Sequence, residues 1–342
     1  MVAEALAEGL AAGDDARWRF CVAPMMEWTD RHCRYFHRQL SRHARLYTEM
    51  VTTGALLQGD PARHLRFNAA EHPVALQIGG SEPDDLARAA RLGEAAGYDE
   101  INLNCGCPSE RVQRGSFGAC LMAEPGLVAD CVRAMRDAVA IPITVKHRIG
   151  IDRNEDYDLV RDFVGAVHAA GCEVFIVHAR NAWLKGLSPR ENREVPPLRY
   201  DVVRRLKRDF PQARFVLNGG LTSLDGARRS SEGLDGVMLG RAAYHDPYLL
   251  AAVDAEFFGE SSATAPTRRA VIDMMSAYLV RETRNGESPR HVVRHMLGLY
   301  QGLRGARQWR RMLSDTALLE SCGAGILEHA MLAVEPPRAQ AA

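Results

Sequence analysis

The chain has 342 residues, of which 46% are hydrophobic and 25% are charged, a composition typical of soluble globular proteins. Lysines and arginines number 43 and so do the acidic residues. This balance excludes a strongly basic or acidic protein, so any electrostatic recognition must be local. The length exceeds what one small core needs and predicts a large domain with a smaller one.

Both ends of the chain lack the pattern of an ordered element. Residues 1–17 and 331–342 are predicted to be mobile tails, and the first of these lacks the basic start and apolar core of a signal peptide. No run of about 18 apolar residues occurs, so no membrane span is expected. Eight scattered cysteines favour free thiols in a reduced compartment, which predicts a cytoplasmic protein.

Residues 18–258 alternate short apolar runs with amphipathic segments. Eight runs have the length and composition of strands: RFCVAPMM, RLYTEM, PVALQIGG, EINLNCGCP, IPITVKHRIG, EVFIVHAR, RFVLNGG and GVMLGRAAY. Helix-like stretches such as PDDLARAARLGEAAG lie between most of them. Strands that alternate with helices predict a parallel sheet, and eight such units predict a closed (β/α)8 TIM barrel. A doubly wound sheet is the alternative, but it usually carries fewer strands.

The strand pattern ends before a small, polar stretch, GESSATAPT, which predicts a linker over residues 259–267. Residues 268–330 then have only helical periodicity and predict a C-terminal all-helical domain. Between Arg268 and Arg311 lie ten arginines, no lysine and three acidic residues. Arginine suits bidentate recognition of phosphate. The domain therefore either binds a polyanion or carries a solvated, arginine-rich face.

Polar side chains are predicted to line one end of the barrel. In INLNC, strand alternation places Asn102 and Asn104 on the face opposite Cys105. Asparagine is unfavourable in a strand, so an inward polar cavity explains the pair better than packing does. The same alternation places polar residues late in four other strands: Gln77, Lys146, His178 and Asn218. These positions lie at the C-terminal end of a barrel, where barrel enzymes build their sites.

The last two predicted strands end in glycines that suit an anion. Gly219 and Gly220 follow one strand, and Gly240 and Arg241 follow the next. The loops after these strands often hold a phosphate in barrels, because glycine lets backbone N–H groups approach it. Neither G-x-G-x-x-G nor G-x-x-x-x-G-K-[ST] occurs, so a tightly held Rossmann-type dinucleotide is not expected.

Cys105 and Cys107 flank a single glycine at the end of a predicted strand. Zinc needs four ligands, and no second pair of Cys or His lies at short spacing, so no metal is expected. A redox disulfide usually has the spacing C-x-x-C, whereas the spacing here is C-x-C. Alternation assigns Cys105 to the core, whereas Cys107 precedes Pro108 and belongs to a loop over the barrel mouth. Without an evident base beside it, Cys107 suits a proton donor, and activation as a thiolate by Lys146 or Arg148 stays open.

From Cys21 to about Leu319 the chain resembles the A subfamily of tRNA-dihydrouridine synthases. The resemblance lies in APMMEWTDR, INLNCGCPSERV, VKHRIGID, HARNAWLKGLSPRENREVPPLRY, LNGG, LGRAAY and HMLGLYQGLRGARQWRRML. It implies a flavin-bearing barrel with a helical domain, which uses FMN and NADPH to reduce a D-loop uridine of tRNA, at position 20 or 20a, to 5,6-dihydrouridine. Hydride is expected to reach C6 from the reduced flavin, and a proton is expected to reach C5 from Cys107.

The same resemblance assigns the remaining site residues. The expected FMN contacts are Pro24, Met25, Met26, Gln77, Lys146, His178, Asn218, Gly219, Gly220, Gly240 and Arg241. The expected tRNA contacts are Asn104, Arg190, Arg193, Gln301 and Arg304. The partners are then tRNA and NADPH, with no membrane and no metal, and a monomer is expected.

Two other functions remain open from the sequence. An FMN-dependent barrel that reduces a free pyrimidine or another small activated alkene would need the same barrel residues, but it leaves the basic helical domain unexplained. A non-catalytic RNA-binding barrel would explain the arginines, but it gives no role to a polar pocket with a cysteine.

Overall fold

A closed parallel barrel forms the larger part of the computed structural model, which describes residues 16–335. The strands are Phe20–Val22 (β1), Arg45–Tyr47 (β2), Val51–Thr52 (β3), Val74–Gly79 (β4), Glu100–Cys105 (β5), Ile143–Arg148 (β6), Val174–His178 (β7), Arg214–Asn218 (β8) and Gly236–Leu239 (β9). The order is β2-β1-β9-β8-β7-β6-β5-β4, and pairing of β2 with β4 closes the ring. The two-residue β3 pairs only with the end of β4. The (β/α)8 prediction is confirmed, and all eight predicted runs contain a barrel strand.

The chain divides into two compact units. The barrel unit contains residues 16–27 and 45–240, and the helical unit contains residues 28–44 and 241–335. The α-helices of the barrel unit are Thr53–Leu57, Pro61–His64, Pro83–Ala95, Glu110–Arg114, Pro125–Ala138, Tyr157–Ala169, Tyr200–Asp209 and Leu224–Ser230. Those of the helical unit are Arg31–Arg38, Arg241–His245, Val253–Phe258, Arg268–Arg284, Pro289–Val293, Ala306–Ser314, Thr316–Cys322 and Ile326–Val334.

The helix Pro83–Ala95 illustrates how the outer layer of the barrel forms. Pro83 occupies its first turn, where a missing N–H costs nothing, and acidic residues follow it at the positive end of the helix dipole. Leu86, Ala90 and Gly93 recur at helical spacing and are buried. A Cβ at Gly93 would lie 2.6 Å from Ile101 Cδ1, so glycine there permits close packing of helix on strand.

Side chains fill the end of the barrel opposite the polar mouth. The inward core consists of Trp18, Cys21, Ala23, Tyr47, Ala75, Val174, Ile176, Val216 and Met238. Glu100 is fully buried among them and accepts hydrogen bonds from Trp18 Nε1 and Tyr47 OH, both at 2.8 Å. Arg45 Nη1 lies 3.2 Å from the same carboxylate and balances its charge, as a buried ion requires.

The helical unit begins earlier and includes more than the sequence predicted. The predicted boundary between residues 258 and 259 differs from the structure, in which residues 28–44 and 241–258 belong to the helical unit. Asp30 caps the helix Arg31–Arg38 and also accepts hydrogen bonds from Arg294 Nη2 at 2.7 Å and His295 Nε2 at 3.0 Å. These partners are more than 260 residues apart, a separation that local periodicity cannot reveal.

The predicted tails lie mostly outside the described residues, which leave out 1–15 and 336–342. Residues 331–334, assigned to the C-terminal tail from the sequence, instead continue the helix Ile326–Val334. Ile326, Ala330 and Met331 recur on one buried face, and this packing extends the helix beyond the predicted end.

One described segment, Thr316–Val334, has the length and mean hydropathy (1.3) of a membrane span. It is interrupted by a 3₁₀ turn at Gly323–Gly325, and its two α-helices have seven and nine residues. A helix that crosses a bilayer needs about 20 residues. A single segment of this kind is weak evidence, because helices of soluble proteins satisfy the same criteria.

Candidate active site

A chain of side-chain hydrogen bonds runs from the filled end of the barrel to its mouth. Thr144 Oγ1 donates to Glu100, and Asn102 Nδ2 donates to Thr144 Oγ1 at 2.7 Å. Gln77 Nε2 donates to Asn102 Oδ1 at 2.7 Å, and Asn104 Nδ2 donates to Gln77 Oε1 at 2.9 Å. Alternating residues of neighbouring strands thus face inward, as the sequence predicted. Each buried amide is satisfied by the next, so the chain fixes every rotamer along it.

Asn104 ends this chain and supports the turn that carries Cys107. Its Oδ1 accepts hydrogen bonds from the backbone N–H groups of Gly106 and Cys107, both at 3.0 Å. The backbone N–H of Ala119 donates to the Cys107 carbonyl at 2.9 Å. The Cys107 thiol lies 3.5 Å from Ser109 Oγ. The turn is therefore held from several sides, and Asn104, predicted as a tRNA contact, uses its amide to hold Cys107.

The two neighbouring cysteines lie in different surroundings. Cys105 is fully buried, and burial raises the pKa of its thiol well above the usual value, so it stays protonated and inert. Cys107 is half-buried at the barrel mouth. All eight cysteines are free thiols, so the pair forms no disulfide. The geometry agrees with the division into a packing cysteine and an accessible one.

Lys146 and His178 present two nitrogen donors at the mouth, on adjacent strands. Lys146 Nζ donates to Asn218 Oδ1 at 3.1 Å. Burial, followed by the positive charge of Arg148, lowers the pKa of Lys146 to about 7, while Cys107 acts in the opposite direction. Burial, followed by the positive charges of Arg148 and Lys146, holds the pKa of His178 well below its usual value, so its imidazole is neutral at physiological pH.

Gly219 and Gly220 form a turn after β8 that only glycine accommodates readily. Their φ angles are 110° and 70°, and a Cβ at Gly219 would lie 2.6 Å from His178 Cδ2. Tyr200 OH donates to the Gly219 carbonyl at 2.6 Å. In a trans peptide the following N–H points the opposite way, so the Gly220 N–H is directed away from Tyr200.

The other expected flavin contacts differ in exposure. Pro24 and Met25 are half-buried after β1, whereas Met26 is 59% exposed. Met25 Sδ lies 3.6 Å from the position that a Cβ on Gly240 would occupy, so these two expected contacts are neighbours. Arg241 directly follows Gly240, is half-buried and begins the helix Arg241–His245 of the helical unit.

The predicted tRNA contacts belong to both units. Arg190 and Arg193 are exposed in the long loop, residues 181–198, that follows β7 of the barrel unit. Gln301 and Arg304 are exposed in the helical unit, and Gln301 Oε1 accepts a hydrogen bond from Arg310 Nη1 at 2.9 Å.

Motif reasoning missed two residues that hold the mouth together, Gln113 and Asn192, and it gave Arg148 no structural role. Alternation places Arg148 on the inner face of β6 with Lys146, but it does not show that the guanidinium donates to loop carbonyls. Asn192 is fully buried in a polar loop and Gln113 lies in a short helix, and neither position has a periodic signal.

The helical unit contains a cluster of side chains of the types that bind metals. His43, Asp254 and Glu260 each offer a ligand atom within 4.8 Å of the others. Their hydrogen bonds already account for the cluster, because Ser41 Oγ donates to Asp254 at 2.5 Å and His43 Nε2 lies 2.6 Å from Glu260. It supplies no argument for a metal.

Comparison with known proteins identifies the family. The sequence matches the family model described as Dihydrouridine synthase (Dus) over residues 21–334. A tRNA-dihydrouridine(20/20a) synthase of Pseudomonas putida is 61% identical over 296 residues, which cover 86% of this chain and 88% of the relative. One of Escherichia coli is 56% identical over 327 residues, which cover 95% and 94%.

A solved structure shows a likeness of fold alone. A 2-naphthoyl-CoA reductase complex aligns with a TM-score of 0.53 at 14% identity, over 69% of this chain and 49% of that one. The family match rests instead on nearly the whole length of the described sequence. The chain belongs to the dihydrouridine synthase family.

Proposed function

We propose that the protein reduces a uridine in the D-loop of tRNA to 5,6-dihydrouridine, with FMN bound in the barrel and NADPH as reductant. The observation that carries the proposal is the half-buried Cys107 thiol at the same barrel mouth as Lys146, in a chain of this family. The names of the relatives support tRNA as the substrate and positions 20 and 20a as the targets.

The residues at the mouth suit a flavin phosphate and ring. Lys146 offers a cation, while neutral His178, Gln77 and Asn218 offer groups for the oxygens and nitrogens of the ring. The Gly219–Gly220 turn offers a backbone N–H on residues that carry no side chains of their own, which is typical of phosphate sites. Pro24, Met25, Met26, Gly240 and Arg241 complete the proposed set.

When bound, the flavin supplies a hydride to C6 of the uracil. Cys107 supplies the proton: its S–H bond breaks as the C5–H bond forms, and the thiolate regains a proton from water. The C4 carbonyl of the uracil carries the developing negative charge until C5 is protonated. The charge of Lys146 stabilises negative charge at the mouth, where low dielectric strengthens the effect.

RNA binding requires groups beyond the mouth. A stacked uridine must leave its helix to reach the barrel, and contacts with neighbouring phosphates offset that cost. Arg190 and Arg193 are exposed beside the mouth and offer such contacts, and Gln301 and Arg304 offer more on the helical unit. Affinity for tRNA is therefore expected to fall steeply with salt. The proposed enzyme is a cytoplasmic monomer without a metal.

One experiment separates the proposed function from its alternatives. The purified protein is examined for a flavin absorption band, then incubated with NADPH and either unmodified tRNA or free uridine, and dihydrouridine is mapped by mass spectrometry. The proposal expects a flavin and dihydrouridine at position 20 or 20a of tRNA only. Reduction of free uridine alone favours a small-molecule reductase, and absence of a flavin favours a non-catalytic RNA-binding barrel.

A further inference from the structure

We propose that Arg148 and Gln113 couple the long loop, residues 181–198, to the Cys107 turn, residues 106–109, so that RNA held by the loop sets the position of the thiol. This inference rests on the proposed function and adds positioning residues to it. Two separate bridges between these segments carry it, and both lie within the barrel unit.

The first bridge is the buried guanidinium of Arg148. Its Nε donates to the Gly106 carbonyl at 3.2 Å, and its Nη1 donates to the carbonyls of Asn181 at 3.1 Å and Asn192 at 2.8 Å. Only 3% of Arg148 is exposed, so these carbonyls have little water to replace it. Gly106 precedes Cys107, and Asn192 precedes Arg193. The rigid guanidinium of Arg148 thus holds both the Gly106 peptide, beside the thiol, and the Asn192 peptide, beside the proposed phosphate contact Arg193.

The second bridge is the side-chain amide of Gln113, on the short helix that follows the Cys107 turn. Its Nε2 donates to the Pro108 carbonyl at 2.8 Å and to the Leu184 carbonyl at 3.0 Å. The two N–H bonds of one amide nitrogen therefore join the turn to the long loop. A glutamate at this position has the same shape but only acceptors, so it would repel both carbonyls.

The long loop is stiff enough to transmit a displacement. Fully buried Asn192 accepts a hydrogen bond from Trp183 N–H at 2.8 Å and donates to the Trp183 carbonyl at 2.9 Å, which closes the loop on itself. Leu184 N–H donates to Asp152 Oδ1 at 2.7 Å, which ties the loop to the segment after β6. A phosphate that engages Arg190 or Arg193 therefore acts on a braced segment.

The two bridges are expected to make the rate of proton transfer from Cys107 depend on RNA bound to the long loop. A donor displaced by about 1 Å can lose roughly a hundredfold in rate. The bridges would keep the thiol aligned when the loop is engaged, and a substrate without flanking phosphates would lack this support. The coupling gives a physical reason for action on RNA in preference to a free base.

The test compares Gln113→Glu and Gln113→Ala in flavin-loaded protein with Arg114→Ala, an exposed neighbour on the same helix. Pre-reduced protein is mixed with saturating tRNA, and the single-turnover rate of dihydrouridine formation is measured. We expect Gln113→Glu to lower this rate by about ten- to a hundredfold, and Gln113→Ala to lower it less. The tRNA dissociation constant, the rate of flavin reduction by NADPH and the Arg114→Ala control should stay within about twofold of the wild type.

A second readout does not depend on activity. Alkylation of Cys107 by iodoacetamide, followed by peptide mapping without RNA, should become several-fold faster in both Gln113 variants, because the turn loosens. Unchanged alkylation and unchanged turnover would overturn the coupling, and so would an effect confined to tRNA affinity. If the wild type forms no dihydrouridine in tRNA, the proposed function fails, whereas the alkylation rates still decide whether the bridge restrains the thiol.

Discussion

Lys146 is half-buried at the mouth, and its pKa of about 7 makes the charge of the site sensitive to pH. An anionic ligand binds better to the protonated amine. Affinity should therefore be greatest below pH 7 and should fall as pH rises, by up to about tenfold per unit, until the pKa of the complex is reached.

This dependence is measurable by titrating the flavin-free protein with FMN between about pH 7 and 9, above the second phosphate pKa of about 6. Lys146→Met should bind FMN more weakly and with a much flatter pH dependence. Exposed Lys185→Met serves as the matched control and should keep the wild-type slope. An equal slope in Lys146→Met would show that another group titrates.

Single residues were predictable where strand alternation applies. Alternation assigns Cys105 to the packed face of its strand, and the proline after Cys107 ends the strand and assigns Cys107 to the loop at the mouth. The same rule places Asn104 at the mouth, yet it does not show that its amide holds the turn. That contact depends on how the turn folds back, which no pattern encodes. The catalytic and flavin-binding roles remain predictions from the resemblance.

At the scale of elements, Gly118 supports the Cys107 turn by having no side chain. Its φ is 78°, and a Cβ there would lie 2.6 Å from the Cys107 carbonyl oxygen. Gly118→Ala should displace the turn, lower dihydrouridine formation and reduce the free energy of unfolding by about 1–3 kcal/mol, which urea unfolding measures. Gly126→Ala is the control, because nothing lies within 4 Å of its Cβ position in a helix, and it should stabilise the protein slightly. Equal effects of the two changes would contradict the account.

The elements themselves were largely predictable, for reasons that also explain the exceptions. Buried parallel strands give continuous apolar runs, so all eight barrel strands were visible in the sequence. β3 has two residues, too few for a pattern. The sequence from Pro289 onward has helical periodicity, but the helix Pro289–Val293 is followed by a 3₁₀ turn at Arg294–Met296. In this turn Arg294 and His295 donate hydrogen bonds to Asp30, and local periodicity does not show these distant partners.

At the scale of the whole molecule, residues 28–44 belong to the helical unit, so a chain that ends after Gly259 keeps only part of that unit. Ending the chain after Gly259 removes Arg294 and His295 from Asp30, and it removes Glu282 from Arg31. The helix Arg31–Arg38 would lose its ion pairs and packing partners. We expect an aggregated or poorly folded product, assessed by solubility and cooperative thermal unfolding; a soluble, flavin-binding barrel would contradict this expectation.

The boundary could not be predicted because composition and periodicity act locally. The linker and the loss of strand pattern gave a boundary at residues 258 and 259, whereas residues 28–44 join the helical unit through partners far along the chain. Point changes therefore test the RNA role better than truncation. Exposed Arg304→Ala should keep the fold and weaken tRNA binding. It should also reduce, by about one, the slope of the logarithm of the tRNA binding constant against the logarithm of the salt concentration.

One comparison tests directly whether Cys107 donates the proton in uridine reduction. Cys107→Ala should retain bound flavin and its reduction by NADPH, while single-turnover dihydrouridine formation in saturating tRNA falls by about a hundredfold or more. Cys105→Ala, the buried neighbour, should lose some stability but keep turnover near the wild-type rate. Turnover by Cys107→Ala within a few-fold of the wild type would contradict the account.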